Sequence, residues 1–474
     1  MAAGRDNETR YVKIPIRGDV SHLSTGNKDT LEALISAARL INPIYLAQMN
    51  QKLEETGGII DESRNAAYYP PGMTAEELEV YIQAHPDQKQ DILSPFSVVQ
   101  RDGTLLKTIP YAELYEPHLT RMKLFLEHAS RITDHPQFKK FLKSKAAAFV
   151  SNEYKESDID WIHVTDAPIE LTIGPYESYE DKTLGIKRNF EAMLGVTLTE
   201  ENEKVRQYQD LTLEFDAYLG NMYGYTPSGK ITPMVVMNEI LATGGAYYSY
   251  IAMAYNLPND NDIHETVGSK KVFVKNVMDA KFTTMTIPIA ERIVERSMMH
   301  HFDPWTYFLF VVGHELSHGL GFRFSGPEFK ELGPSLEEAK ADVFGMLFLY
   351  FLAEKGVLAK EVAESAVYIH AIDGLRQLRF GLEEAHAFGA RIQYQWLENM
   401  GAIGIHEQTF LFDPRFFKQA LESLGYEFFK LSQAQNYTNT KSFADTWSAV
   451  LPGLKPMIKR LEGIPVDIDP IFDC

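Results

Sequence analysis

From Leu31 to Leu53 apolar residues recur at helical spacing, and a second helix opens at Met73-Thr-Ala-Glu-Glu-Leu, just after the breaker Tyr69-Pro70-Pro71-Gly72. Two β-branched segments broken by turns, SPFSVVQRDGTLLKTIPY from Ser94 and PIELTIGPYESYED up to Asp181, read as strands on either side of a helix from Pro110 to about Val150. KKVFVKNV, from Lys270 to Val277, is a further strand candidate. From Ile287 onward the spacing is almost wholly helical. The longest apolar run, Val343 to Ala353, reads as a buried helix, being too short for a bilayer core of about 30 Å. The pattern predicts an α+β, predominantly helical protein with a mixed lobe first and a helical lobe later. The chain would cross between them near 200, 240 and 285, so that 1–198 goes with 240–285 and 199–239 with 286–474. No internal repeat or long linker interrupts it.

Composition narrows the class. With 474 residues, 45% of them hydrophobic, the chain can bury a large core. A net charge of −19 repels nucleic acid and anionic membranes and attracts cations or basic peptides. The single cysteine, Cys474, cannot form an internal disulfide, so no oxidising compartment is required. The first thirty residues mix charges throughout and lack the apolar stretch of a signal peptide, from which a cytoplasmic location is expected.

Chemistry enters at WTYFLFVVGHELSHGLGF. Asp303-Pro304 is a good helix start, Gly319 and Gly321 are plausible stops, and His314 and His318 lie four apart on one helix face. Two imidazoles so placed can share a zinc ion at about 2.0–2.1 Å each. Glu315 beside them can take a proton from a zinc-bound water, making a nucleophile for an acyl carbon. With 14 histidines in the chain, chance matches to this spacing number roughly a few hundredths, which favours the functional reading. In Gly333-Pro-Ser-Leu-Glu-Glu-Ala-Lys-Ala-Asp342, Glu338 would be the third ligand. Asp342, four residues on, would accept the distal N–H of a ligand histidine. Glu337 is the other possible ligand, and Ser335 with Glu338 also fits a helix capping box.

Several ordered motifs beyond this one resemble the dipeptidyl peptidase III family, especially its shorter members. They include YYPPGMT at 68–74, SPFSVVQRDG at 94–103, IGPYESYED at 173–181, AYNLPND at 254–260, VKNVMDAKF at 274–282, HELSHGLG at 314–321, EEAKAD at 337–342 and GLEEAHAFGA at 381–390. The resemblance implies two lobes flanking a wide cleft, one zinc ion on the helical lobe, and removal of dipeptides from the free N-termini of short peptides. It implies His314, His318 and Glu338 as ligands, Glu315 as base and Asp342 as the group behind a ligand. It also implies Glu177 for the substrate ammonium, Asn256 and Asn259 for its amino end, and Tyr179 and His386 for the reacting centre. Ammonium capture by a carboxylate, backbone fixing by amides and oxyanion stabilisation by a phenol and an imidazole are sound chemistry. Taken alone, these residues read as strand-end aromatics, turn asparagines and a core or capped histidine.

The sequence departs from the longer members in three ways. HELSH has one residue fewer between glutamate and second histidine, the interval from His318 to Glu338 is shorter, and Arg391 stands one position away from an arginine those members carry. Substrate range therefore stays open and Arg391 receives no role. The rival readings are a zinc hydrolase of an ester or lactone, and a peptide-binding protein with vestigial catalysis.

Overall fold

The computed structural model describes residues 10–50, 66–227 and 231–474, and it is α+β and predominantly helical. The last part of the expected 31–53 helix falls outside these residues; the described part is two helices, Thr25–Arg39 and Ile41–Gln48. The helix expected after Tyr69-Pro70-Pro71-Gly72 runs Ala75–Ala84, closed at its start by a capping box between Thr74 and Glu77. The single helix expected over 110–150 is instead a short turn followed by Glu116–Ile132 and Pro136–Ser151. Thr133 turns extended between them, and Pro136 starts the second helix at its first position.

Five strands make the main sheet: β1 (Ile169–Glu177), β2 (Asn189–Thr197), β3 (Met234–Gly244), β4 (Ala254–Leu257) and β5 (Lys270–Val274). Their spatial order is β1-β2-β3-β5-β4, with only the β3–β5 pair parallel. The expected strand 270–277 stops at Val274, and its second half is the first turn of helix Lys275–Lys281. The stretch after Ile287, expected to be almost wholly helical, also enters two short strand pairings. A hairpin joins Ile403–His406 to Thr409–Phe412, and Asp467–Ile471 pairs in parallel with Tyr11–Pro15 near the start of the chain.

Buried apolar side chains gather into two cores. One is built from the N-terminal helices and the sheet, from Ile16 to Met285 with Ile468 added. The other is built mainly from helices, from Val205 to Ile464, with a few strand residues. Strand β3 sits at their junction: Val235 and Met237 point into the first core, Met234 and Val236 into the second. That follows from the two-residue period of a strand, which sends successive side chains to opposite faces. Strand β5 does the same, with Val272 and Val274 in the first core and Phe273 in the second, whereas the buried apolar residues of β1 and β2 belong to the first core.

Candidate metal centre and cleft

Helix Pro304–Ser317 starts as its sequence demands. Asp303 accepts hydrogen bonds from the Trp305 and Thr306 amides at 3.0 and 2.9 Å, and Pro304 follows at the first position. His318 is the C-cap, still in right-handed helical conformation, so it remains one turn above His314. Beyond it Gly321 adopts φ +63°, and its amide donates to Asp216 Oδ1 at 3.1 Å. A Cβ there would lie 3.1 Å from the Tyr225 ring, so both conformation and space call for glycine.

The second helix, Gly333–Glu354, crosses the first in backbone contact. A Cβ on Gly345 would stand 2.6 Å from the His314 amide nitrogen, and one on Gly313 would stand 2.9 Å from the Gly345 carbonyl. Two facing glycines thus let the helices approach closely enough for Glu338 to reach both histidines. Glu338 Oε2 lies 3.3 Å from His314 Nε2 and 3.6 Å from His318 Nε2, and the two nitrogens are 3.1 Å apart. Three donors at about 2.0–2.1 Å from a tetrahedral centre would be separated by roughly 3.4 Å. The triangle has that size. Glu338 Oε2 is moreover buried and makes no hydrogen bond, although imidazole nitrogens face it. An orphaned carboxylate oxygen among histidines fits a cation.

The far side of each histidine is held. His314 Nδ1 pairs with Asp342 Oδ1 at 2.7 Å, and Gln393 donates to the other Asp342 oxygen at 2.9 Å. His318 Nδ1 faces Glu337 Oε1 at 3.4 Å, and Lys340 pairs with that oxygen at 2.7 Å. Burial pushes Glu337 up, but Lys340 and His318 outweigh it and hold the carboxyl at about 2. Glu337, read from sequence as an alternative ligand, is thus placed behind His318. Ser335 is no cap, because the helix already begins at Gly333.

Glu315 projects from the same helix, with Oε2 3.3 Å from Lys271 Nζ of strand β5. Burial raises its pKa, but Lys271, His318 and His314 together hold it below the ordinary value. His386 opens helix Ala385–Asn399. Its Nε2 is 3.1 Å from Glu338 Oε2, and its Nδ1 is 3.1 Å from Glu384, which also caps the helix through the Ala387 amide.

The remaining residues line the sheet side. Glu177 ends β1, buried; burial raises its pKa, and the neighbouring Asn259, Tyr179 and Arg188 partly offset the rise. Tyr179 is 60% exposed and packs edge-on against Tyr250 at 6.0 Å. Although part of the ring is exposed, its phenol is raised, by desolvation of the hydroxyl first and then by the charges of Glu177, Glu191 and Glu338. Asn256, on β4, keeps a buried Oδ1 without a hydrogen-bond partner. Arg188 donates to the carbonyls of Tyr176 and Asn259, tying the Glu177 strand to the Asn259 loop. Glu191, fully buried, accepts from the Tyr250 hydroxyl at 3.1 Å; burial and then Glu177 push its pKa well up. Arg391 is buried and faces Glu383 at 3.4 Å.

Sequence reading passed over Lys271, Arg188, Glu191, Gln393 and Glu384. Only Glu384, three residues before the Ala387 amide it caps, carried a local signal. The others act across contacts between distant segments.

Two histidines and a carboxylate converging on one point, with a further glutamate alongside, form the donor set of a metallopeptidase. The sequence profile of peptidase family M49 matches residues 74–327, more than half of the chain, and the chain belongs to that family. It is similar to two solved structures. One is DPP III from Caldithrix abyssi, with 30% identity, TM-score 0.92 and 98% of each chain covered. The other is dipeptidyl-peptidase III from Corallococcus sp. strain EGB, with 26% identity, TM-score 0.82, and 98% of this chain and 96% of that one covered. Among curated proteins it is 33% identical to Nudix hydrolase 3 of Arabidopsis thaliana over 86% of its own length. It is 25% identical to dipeptidyl peptidase 3 of Dictyostelium discoideum over 65% of its length. The chain spans 57% and 48% of those two relatives. No helix among the described residues is long and apolar enough to cross a membrane.

Proposed function

We propose that the protein is a zinc-dependent dipeptidyl peptidase that removes dipeptides from the free N-termini of short peptides. The observation that carries the reading is the triangle of His314 Nε2, His318 Nε2 and Glu338 Oε2, with sides of 3.1, 3.3 and 3.6 Å and Glu315 beside it. Zinc held there would acidify a coordinated water to a pKa of about 7 and polarise the scissile carbonyl.

The chain's own groups do the rest. Glu315 takes the proton of the attacking water and returns it to the leaving amine. Tyr179 and His386 donate hydrogen bonds to the developing oxyanion. Glu177 binds the substrate ammonium, while Asn256 and Asn259 hold the backbone at the amino end. Asp342 and Glu337 keep the ligand imidazoles oriented. The M49 family and the likeness to two DPP III structures support peptide as the substrate class.

The test is a free-amino pentapeptide incubated with the zinc-loaded protein and its products read by mass. Dipeptides are expected, with acetylation of the peptide N-terminus sharply weakening turnover. Single amino acids or internal cuts would overturn the reading. The name of the Arabidopsis thaliana relative, Nudix hydrolase 3, of which the chain spans 57%, favours as second reading a hydrolase of non-peptide compounds. Turnover of such compounds without peptide cleavage would select it.

A further inference from the structure

We propose that Lys271 is a positioning residue for the base Glu315, holding it from the sheet; the inference rests on the peptidase reading above. Lys271 lies on β5, its side chain 5% exposed, and its ammonium is 3.3 Å from Glu315 Oε2. Burying an ammonium is costly unless it meets an opposite charge. Among the described residues Glu315 is the carboxylate that Lys271 pairs with. The contact links residues 44 positions apart on different secondary structures, so nothing local in the chain enforces it.

The sheet register says what else is beside it. Asn256 of β4 stands directly opposite Lys271 of β5 in the antiparallel pair, and residues so paired share one face of a sheet. The same face therefore presents the amide assigned to the substrate backbone and the ammonium that grips the base. Because Lys271 occupies Oε2, the other carboxylate oxygen of Glu315 is the one available for the proton it takes. A Glu315 without this anchor would sample other rotamers, and proton transfer demands hydrogen-bond distance. The ion pair of Lys271 is with Glu315 and not with any of the three donors, so its loss should reduce kcat while leaving zinc and KM in place.

The experiment compares the zinc-loaded wild type with Lys271→Met and Lys271→Arg on a free-amino pentapeptide. Lys271→Met is expected to lower kcat about 10–100-fold with KM within about threefold and zinc still one per chain. Lys271→Arg, which keeps the charge, is expected to recover about tenfold of that loss. A Lys271→Met kcat within about twofold of wild type, an effect on KM alone, or an arginine variant as impaired as the methionine one would each overturn the proposal. The pairing itself is read from melting temperatures of Lys271→Met, Glu315→Gln and the double variant. Non-additive shifts uphold it and additive shifts overturn it. Should the wild type cleave no peptide, the functional reading falls, and this cycle alone decides whether Lys271 grips Glu315.

Discussion

Glu315 lies beside the three donors with its carboxylate paired to Lys271, and it sets the first prediction. Glu315→Gln should lower kcat by about 10²–10⁴-fold with zinc stoichiometry unchanged, read by steady-state kinetics and metal analysis together. Asp342 acts behind the metal. Asp342→Asn keeps its shape but weakens the charge behind His314, and zinc affinity should fall about 10–100-fold in a chelator competition. At this scale the spacing of His314, His318, Glu338 and Asp342 was readable because helical periodicity converts sequence distance into a shared face. Glu337 was harder. Its neighbour Glu338 offered the same chemistry, and only the crossing of two helices decides which carboxylate meets the histidine nitrogens and which lies behind His318.

The crossing of helices Pro304–Ser317 and Gly333–Glu354 is the element on which the triangle depends. Gly345→Ala would push a methyl into the His314 backbone, forcing the helices apart. A loss of about 1–3 kcal/mol of stability with weakened zinc binding is expected, measured by denaturation and metal content. Neither glycine looked special in the sequence, since each sits inside a run that reads as ordinary buried helix. The strands tell the same story. Ile169–Glu177 and Lys270–Val274 were legible from β-branched runs bounded by turns, but β2 and β3 drew no expectation. Asn189–Thr197 is broken up by Glu191, Ala192 and Gly195, and in Met234–Gly244 Asn238 and Glu239 interrupt the β-branched residues, so tertiary packing, on the first core for β2 and on both cores for β3, makes them strands more than local propensity does.

Across the whole molecule, burial of charge between the two cores should leave a signature in stability. Glu239 on β3 is fully buried, and burial, only partly offset by Lys281, raises its pKa to about 8. The folded state then keeps a proton that the unfolded chain loses above about 4.5, so stability contributed at this site falls as pH rises from about 4.5 to 8. Glu239→Gln should remove that slope. The variant would gain on wild type at pH 8 relative to pH 5, by on the order of a few kcal/mol, in urea denaturation at the two pH values. The change of texture along the chain, from mixed to helical, is the pattern behind the expected mixed and helical lobes. The return of Asp467–Ile471 to strand Tyr11–Pro15 drew no expectation, because pairing between the two ends of a chain leaves no local pattern. The account as a whole stands on zinc at one place. Anomalous diffraction at the zinc absorption edge, from crystals of the zinc-loaded protein, tests it most directly. The prediction is a single strong peak within about 2.0–2.2 Å of His314 Nε2, His318 Nε2 and Glu338 Oε2. No peak there, or one centred on His386 or elsewhere, would contradict it.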